Sequence, residues 1–187
     1  MLRAWSTEDA PSLRATLVSS DAHLRAWTPW VVDGRVPGLS LDSRLQQHAD
    51  AFATGTEWVY GMFSLDEREV LGGCGLYPRV GPGAMEIGYW LSVAHTGRGL
   101  ATEATELLAH LAFTSPEIER VLIRCDPRNE ASARIPARLG YHVDGADQRD
   151  TAPSAHSLSD VVTWVMTRTE FALKYPRAST AYLESLE

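Results

Sequence analysis

The stretch MEIGYWLSVAHTGRGLATEATELLAHLAF, residues 85–113, decides the fold. Residues 85–93 form an apolar run rich in aromatic and branched side chains, which predicts a strand. Residues 102–113 carry apolar side chains at the i, i+3, i+4 and i+7 spacing of an amphipathic helix. The residues that set this spacing are Ala104, Leu107, Leu108 and Leu111. A glycine-bearing turn therefore joins a strong strand to a long helix.

That turn predicts an anion-binding site. Free N–H groups and the positive end of the helix dipole meet at a helix N-terminus. Gly97 and Gly99 tolerate positive φ and let a ligand approach the backbone, and Arg98 adds a cation. The chain has no GxxxxGK[ST] run, and Thr102 occupies the third position of a GxGxxG fingerprint, which disfavours both nucleotide-binding motifs. An ordinary helix start with solvated donors remains the alternative.

The flanking segments complete one α/β domain over residues 1–187. Residues 7–11 are expected to turn into a helix that runs to about 18, and further helices are expected at 41–54 and 129–139. Strands are expected at 57–64, 70–77, 121–125 and 161–166. The order strand, helix, strand around residues 85–125 predicts a crossover between parallel neighbours. The glycines at 72, 73 and 75 indicate a bulge or a close approach of the backbone.

Composition excludes several classes of protein. The 187 residues carry a formal net charge of −7, which argues against a binder of duplex nucleic acid. No run of 18 apolar residues or signal-like N-terminus occurs, so we expect a cytoplasmic protein with no membrane partner. Cys74 and Cys125 form no CxxC pair, and no spacing typical of a metal site is present.

Three blocks of sequence resemble the GCN5-related N-acetyltransferase (GNAT) superfamily. Residues 96–101 are similar to its (Gln/Arg)-x-x-Gly-x-(Gly/Ala) signature, which in that family binds the pyrophosphate of acetyl-coenzyme A. DPRNEAS at 126–132, followed by RLGY at 138–141, resembles a second block. LRAWTPW at 24–30 resembles an early segment of the branch that acetylates ribosomal-protein N-termini. The resemblance covers about residues 2–170 and leaves 171–187 as a C-terminal extension.

The resemblance implies a fold and a reaction. The fold is α/β (α+β): a mixed, mostly antiparallel sheet with a V-shaped parallel strand pair and flanking helices. The reaction is transfer of an acetyl group from acetyl-CoA to a primary amine by direct attack, without a metal. The first acceptor implied is a protein N-terminal α-amine. A small-molecule amine such as an antibiotic or polyamine, a non-catalytic acyl-CoA-binding module, and a homodimer are left open.

The resemblance also assigns residues to the cofactor. The implied cofactor contacts are Leu91, Val93, Thr96, Gly97, Arg98, Gly99, Leu100, Ala101, Thr102, Asn129, Ser132 and Arg138. Asn129 is equally suited to cap the following helix. Thr96 departs from the Gln or Arg of the signature, so one side-chain contact to phosphate is lost.

Three polar residues are implied in catalysis. Glu86 or Asp150 would act as general base, and Ser132 would protonate or hydrogen-bond the leaving sulfur. Each has an alternative without a catalytic role. Glu86 could be a strand-end carboxylate, Asp150 a solvated loop residue and Ser132 a residue of the first helical turn. Pro136 lies inside the same predicted helix, where it should free the Ser132 carbonyl and kink the helix.

Aromatic residues outside these blocks are candidates for an acceptor pocket, because aromatic walls suit the apolar parts of a ligand. They are Trp27, Trp30, Tyr77 and Trp90. Core packing is the alternative for each of them.

Overall fold

The structure is a computed structural model that describes residues 1–28, 40–144 and 161–176. Trp30 and Asp150 lie outside the described residues. Their expected roles are therefore carried forward as proposals.

Over these described ranges, seven strands form one sheet in the order β1-β2-β3-β4-β5-β7-β6. Their bounds are β1 Leu2–Ala4, β2 Trp58–Phe63, β3 Val70–Tyr77, β4 Ala84–Leu91, β5 Arg120–Cys125, β6 His142–Val143 and β7 Val162–Thr167. Every neighbouring pair is antiparallel except β4 and β5. The crossover expected from the strand–helix–strand order is confirmed.

Helices cover both faces of the sheet. Their bounds are α1 Ala10–Ser19, α2 Asp21–Arg25, α3 Leu41–Thr54, α4 Leu100–Thr114, α5 Glu130–Leu139 and α6 Arg168–Lys174. Short 3-10 turns at Thr7–Asp9 and Val93–His95 precede α1 and α4. The Ser40 hydroxyl accepts a hydrogen bond from the Ser43 N–H at the start of α3, and Gly55 ends that helix with φ of 67°.

The parallel pair opens into a V. Its register runs only from Ala84–Arg120 to Glu86–Leu122, although β4 continues to Leu91 and β5 to Cys125. Beyond Glu86 the two strands therefore diverge, and no strand in the described part of the chain pairs with the edges that face each other. The candidate functional site lies at this opening.

Two hydrophobic clusters flank the sheet. One joins α4, α5 and α6 to a sheet face that includes Ile87 and Val121, and the other joins α1, α2 and α3 to the face that includes Val59. Because side chains alternate along a strand, Tyr89 and Leu91 lie on the α4 side and Trp90 on the other. The first cluster includes Phe171, so the core continues beyond residue 170 into the expected extension.

One feature differs from the sequence expectations. The central strand ends at Leu91 rather than Val93, because residues 93–95 turn into a 3-10 helix.

The glycines of β3 mark both features that the sequence left open. A Cβ on Gly73 would lie 2.6 Å from Trp90 Nε1 and one on Gly75 2.9 Å from the Tyr77 hydroxyl, which is a close approach. The register shifts where Met62 pairs with Gly72 and Phe63 with Val70, which leaves Leu71 of β3 as the extra residue beside Gly72.

Candidate functional site

A cleft of about 620 Å³ lies where the V opens. Its walls come from α2, the end of β4, the turn before α4, and the first turns of α5. Most of the predicted cofactor residues meet there. The predicted residues that line it are Trp27, Trp90, Leu91, Thr96, Gly97, Gly99, Ala101, Thr102, Asn129, Ser132 and Arg138.

The glycine turn presents its backbone to this cleft. Gly97 and Gly99 have φ of 73° and 83°, and a Cβ added to either would meet no atom within 4 Å. Gly99 caps α4 without a side-chain hydrogen bond. The Thr96 hydroxyl donates to the Val93 carbonyl at 3.1 Å and so stabilises the turn itself. The turn therefore offers an anion backbone N–H groups rather than side chains.

The end of β4 offers further backbone donors. The Ser92 N–H donates to the Leu71 carbonyl of the neighbouring chain segment at 2.9 Å. Because backbone groups of a strand alternate in direction, the N–H groups of Tyr89 and Leu91 face the opening towards β5. The Val93 N–H donates to Ser20 Oγ at 3.1 Å, so it is already used within the protein. Leu91 keeps its expected place in the site, and Val93 lies outside the strand.

Of the predicted cofactor contacts, Arg98 and Leu100 also do not line the cleft, as Val93 does not. Arg98 is exposed at the outer side of the turn. A guanidinium there contributes a solvent-screened charge rather than a buried contact.

The first turn of α5 brings two polar side chains to the cleft. Asn129 Oδ1 accepts from the Ser132 N–H at 3.1 Å, which confirms that Asn129 caps the helix. The Ser132 hydroxyl is within 3.1 Å of the Tyr89 hydroxyl, which approaches from β4. Burial raises the pKa of the Tyr89 phenol, although its hydrogen bond with Ser132 opposes that rise.

Tyr89 was not among the residues expected from the sequence. The family resemblance directs attention to a tyrosine in the helix after β5, and this chain has none there. Tyr89 belongs instead to the strand run MEIGYWLSV, where an aromatic residue is read as packing. The sequence does not indicate that the Tyr89 hydroxyl reaches α5. That contact exists because β4 and β5 diverge.

Glu86 lies at the vertex of the V, and both of its oxygens are paired with arginines. Arg79 Nη2 donates to Oε1 at 2.6 Å, and Arg124 Nη2 donates to Oε2 at 2.7 Å. Burial alone would raise the pKa of Glu86, but the hydrogen bonds and charges of the two guanidinium groups lower it. These contacts favour charge pairing across the strands over the role of general base, which needs a carboxylate with an available lone pair.

The aromatic candidates divide by position. Trp27 is 40% exposed and lines the cleft with Trp90, which is half-buried. Tyr77 packs in the second cluster beneath the Arg79 guanidinium, which is 4.5 Å from its ring centre. Burial raises the pKa of the Tyr77 phenol to about 12. The alternative of core packing therefore describes the surroundings of Tyr77.

The described residues contain no cluster of three or more His, Cys, Asp or Glu side chains placed to hold a metal ion. Over the same ranges, no helix has the length and apolar character needed to cross a membrane.

A mostly antiparallel sheet with one splayed parallel pair, and a glycine turn at the start of the crossover helix, defines a GNAT-type fold. The chain belongs to the acetyltransferase (GNAT) domain family, whose pattern it matches over residues 1–142.

Curated relatives agree with this family. "Probable N-acetyltransferase YjcK" of Bacillus subtilis is 28% identical over 110 residues, which is 57% of this chain and 60% of the relative. The ribosomal-protein-serine acetyltransferase of Escherichia coli is 33% identical over 86 residues, 45% of this chain and 48% of the relative. The [ribosomal protein uS5]-alanine N-acetyltransferase of E. coli is 25% identical over 148 residues, 78% and 76% of the two chains. The chain thus spans about half to three fifths of the first two relatives.

Solved structures show the same fold over nearly the whole chain. Mycobacterium smegmatis RimJ, in complex with CoA-disulfide, superposes with a TM-score of 0.76 at 20% identity and covers 99% of this chain and 88% of its own. The ribosomal-protein-S5-alanine acetyltransferase of Vibrio fischeri superposes with a TM-score of 0.72 at 19% identity, covering 89% and 91%.

Proposed function

We propose that the protein is an N-acetyltransferase that moves the acetyl group of acetyl-CoA to a primary amine. The observation that carries this proposal is the continuous cleft from the glycine turn at Gly97–Gly99 to the unpaired edge of β4 at Leu91. A diphosphate needs backbone donors at a helix start, and an extended amide chain needs free strand-edge groups. Both occur here in one cavity.

The residues of the cleft fit the cofactor from end to end. The turn N–H groups would bind the diphosphate, and the open space over Gly97 and Gly99 is where it would approach. The N–H of Leu91 would pair with the pantetheine arm or the acyl carbonyl. Arg138 lies at the wall of the cleft and would contact the outer phosphates. The Asn129 amide NH₂ would serve the arm, because its oxygen caps α5.

Bound acetyl-CoA supplies an activated acyl carbon that an uncharged amine can attack directly. The protein would polarise the carbonyl with a backbone N–H, hold a hydroxyl near the departing sulfur, and exclude water from the cleft. Neither thiol is proposed as a nucleophile, and burial raises the pKa of the Cys74 thiol to about 12. Two carboxylates remain proposals for the general base, Glu86 and Asp150. Two arginines lower the pKa of Glu86 and so make it a weaker base.

We propose a protein N-terminal α-amine as the acceptor. The names of two relatives specify acetylation of ribosomal proteins, one at serine and the other as N-acetylation at alanine of uS5. The net charge of −7 favours a basic partner through electrostatic steering. Trp27, and by the earlier expectation Trp30, would border the acceptor end of the cleft.

The test is a thiol-release assay with acetyl-CoA and three acceptors. The first is a lysine-free peptide with a free N-terminal Ala or Ser, the second is the same peptide blocked at its N-terminus and carrying one lysine, and the third is a polyamine. We expect release with the first peptide and acetylation of its terminus by mass spectrometry. Release only with the polyamine would favour the small-molecule alternative. Binding of acetyl-CoA without release would favour the non-catalytic module.

A variant of the turn provides the control. Gly99→Val places a branched side chain where the diphosphate would approach, at a φ that valine rarely adopts. We expect it to lose the thermal stabilisation by acetyl-CoA, which for wild type at about 100 times Kd amounts to roughly 2.7 kcal/mol.

A further inference from the structure

The hydroxyl of Tyr89 bridges the two arms of the V. It lies 3.1 Å from the Ser132 carbonyl oxygen and 3.1 Å from Ser132 Oγ, 43 residues further along the chain. Tyr89 stands on β4, and Ser132 stands in the first turn of α5. Both residues line the cleft.

The Ser132 carbonyl needs this partner because of a proline. In an α-helix this oxygen would accept from the N–H four residues later, at position 136. Pro136 has no N–H, and it lies inside α5. The proline thus leaves this carbonyl without a helical donor, as expected from the sequence. The Tyr89 phenol, from another element, donates to it instead. A half-buried carbonyl without a donor would otherwise destabilise the first turn of the helix.

Counting protons fixes the direction of the two hydrogen bonds. A carbonyl oxygen only accepts, so the single phenol hydrogen of Tyr89 serves the Ser132 carbonyl. The Ser132 hydroxyl can then donate to the phenol oxygen, to the sulfur of Cys125, with which it also forms a hydrogen bond, or to another acceptor after rotation. A thiolate is a charged acceptor and competes well against a neutral phenol oxygen.

We propose that Tyr89 is a positioning residue for the leaving sulfur: by holding the carbonyl that Pro136 leaves without a helical donor, it fixes Ser132 so that its hydroxyl can donate to the thiolate of CoA. The inference rests on the proposed function. In that reaction the amine nitrogen forms the new C–N bond and gives up one proton to the general base or to water, while the C–S bond breaks and its electron pair goes to sulfur. Ser132 keeps its proton and shares it in a hydrogen bond, and the thiolate is protonated by water on release.

The test measures binding and needs no acceptor. Kd is measured for CoA and for desulfo-CoA, which lacks the thiol, from about pH 7 to about pH 9.5, across the ordinary thiol pKa of about 8.5. If the site stabilises the thiolate, wild type should bind CoA about tenfold more tightly at the upper pH, as expected for a hydrogen bond to a charged group. Desulfo-CoA should show no such gain.

Four variants assign the gain to Tyr89, and one of them, Pro136→Ala alone, should behave as wild type. Tyr89→Phe should abolish it while leaving the affinity for desulfo-CoA unchanged. Tyr89→Phe with Pro136→Ala should restore most of it, because residue 136 then donates to the Ser132 carbonyl. Tyr141→Phe is the matched control, since the buried Tyr141 hydroxyl has no hydrogen bond to any described residue. It should behave as wild type.

The outcomes separate this inference from the proposed function. If wild type fails to bind CoA, both are overturned. If it binds CoA without the gain at high pH, or if Tyr89→Phe keeps the gain, the role of Tyr89 is overturned and the proposed function stands. If the double variant stays flat while Pro136→Ala alone resembles wild type, the carbonyl is not the route by which Tyr89 acts, and the inference fails.

Discussion

Replacing Glu86 with Gln removes the charge that joins β4 to β5 at the vertex of the V. The Glu86 side chain is 9% exposed and its partner Arg124 is 20% exposed. Gln keeps the size of the side chain but leaves two guanidinium groups facing a neutral amide. The substitution therefore separates a role in charge pairing from a role in proton transfer.

The size of the effect follows from burial. Arg79 is 54% exposed, so its pair with Glu86 is screened by solvent and contributes little. Removing one partner of a buried pair costs about 3–5 kcal/mol. With Arg124 partly exposed, we expect the lower end, about 3 kcal/mol of unfolding free energy. For a domain of this length that corresponds to about 6–12 °C in Tm.

The loss should depend on pH with a defined sign. The arginines lower the folded-state pKa of Glu86 below its ordinary value of 4.5. Its contribution is therefore complete above pH 4.5 and is lost as the pH falls through the lowered folded-state value. The stabilities of wild type and Glu86→Gln, measured by denaturant unfolding, should differ at about pH 7, and the difference should shrink as the pH falls below 4.5.

The matched control and the rate decide the interpretation. Glu67→Gln breaks an ion pair with Arg3 in which the carboxylate is 48% exposed, and it should cost less than about 1 kcal/mol. Glu86→Gln should reduce kcat by less than about tenfold well below its Tm, whereas loss of a general base costs about 10²–10⁴. Unchanged stability together with a rate loss above about a hundredfold would refute the reasoning and identify Glu86 as the base.

Three further changes test other parts of the structure. Gly99→Ala, a milder change than valine, should weaken acetyl-CoA binding measurably in calorimetry; unchanged affinity would contradict the approach of a ligand at that glycine. Burial, with the nearby charge of Arg44, lowers the pKa of His48 to about 4. Wild type should therefore lose up to about 3 kcal/mol between pH 6.5 and pH 4, a loss that His48→Gln should not show in denaturant titrations. The Arg168 guanidinium donates to three carbonyls at and beyond the end of α4, so Arg168→Lys should lower Tm by several degrees, and an unchanged Tm would show that solvent replaces those bonds.

The backbone elements were largely predictable because each has a clear local signal. Helix α3 occupies 41–54 and strand β3 occupies 70–77, as the sequence indicates. A capping serine, a terminal glycine and a period-two run are sufficient for such elements. Strands β1 and β6 were not predicted, since they have three and two residues and gain their pairing from neighbours.

The buried face of α4 was predicted only in part. Leu108 is 2% exposed as expected, but Leu107 is 58% and Leu111 is 43% exposed. The helix buries small side chains instead, so that it can lie close to the sheet. The buried residues are Ala101, Ala104, Thr105, Leu108, Ala109, Ala112 and Phe113. The large apolar side chains alone therefore predicted the wrong centre for the buried face of α4. The Thr105 hydroxyl is buried without cost, because it donates to the Ala101 carbonyl at 2.7 Å.

The glycine turn proposed for the cofactor could be picked out from the sequence because its signal is local: two glycines, a helix start and a preceding strand. The polar chemistry deeper in the cleft could not, because it depends on contacts across the V. Tyr89 and Ser132 are 43 residues apart, and Glu86 and Arg124 are 38 apart. No periodicity reports which side chains of two diverging strands still reach each other.

The two bridges across the V differ in physical kind, and that difference matters for the cleft. Glu86 and Arg124 join the strands near the vertex by charge, whereas Tyr89 and Ser132 join β4 to α5 by neutral hydrogen bonds further along the opening. Protonation at low pH weakens only the first bridge, because only Glu86 gains a proton there. Burial raises the pKa of the Tyr89 phenol, so the phenol is already protonated at neutral pH. Acid should therefore loosen the vertex before it disturbs the site of the sulfur. A CoA affinity that falls in acid together with stability in wild type, but not in Glu86→Gln, would locate the control of cleft width at the vertex.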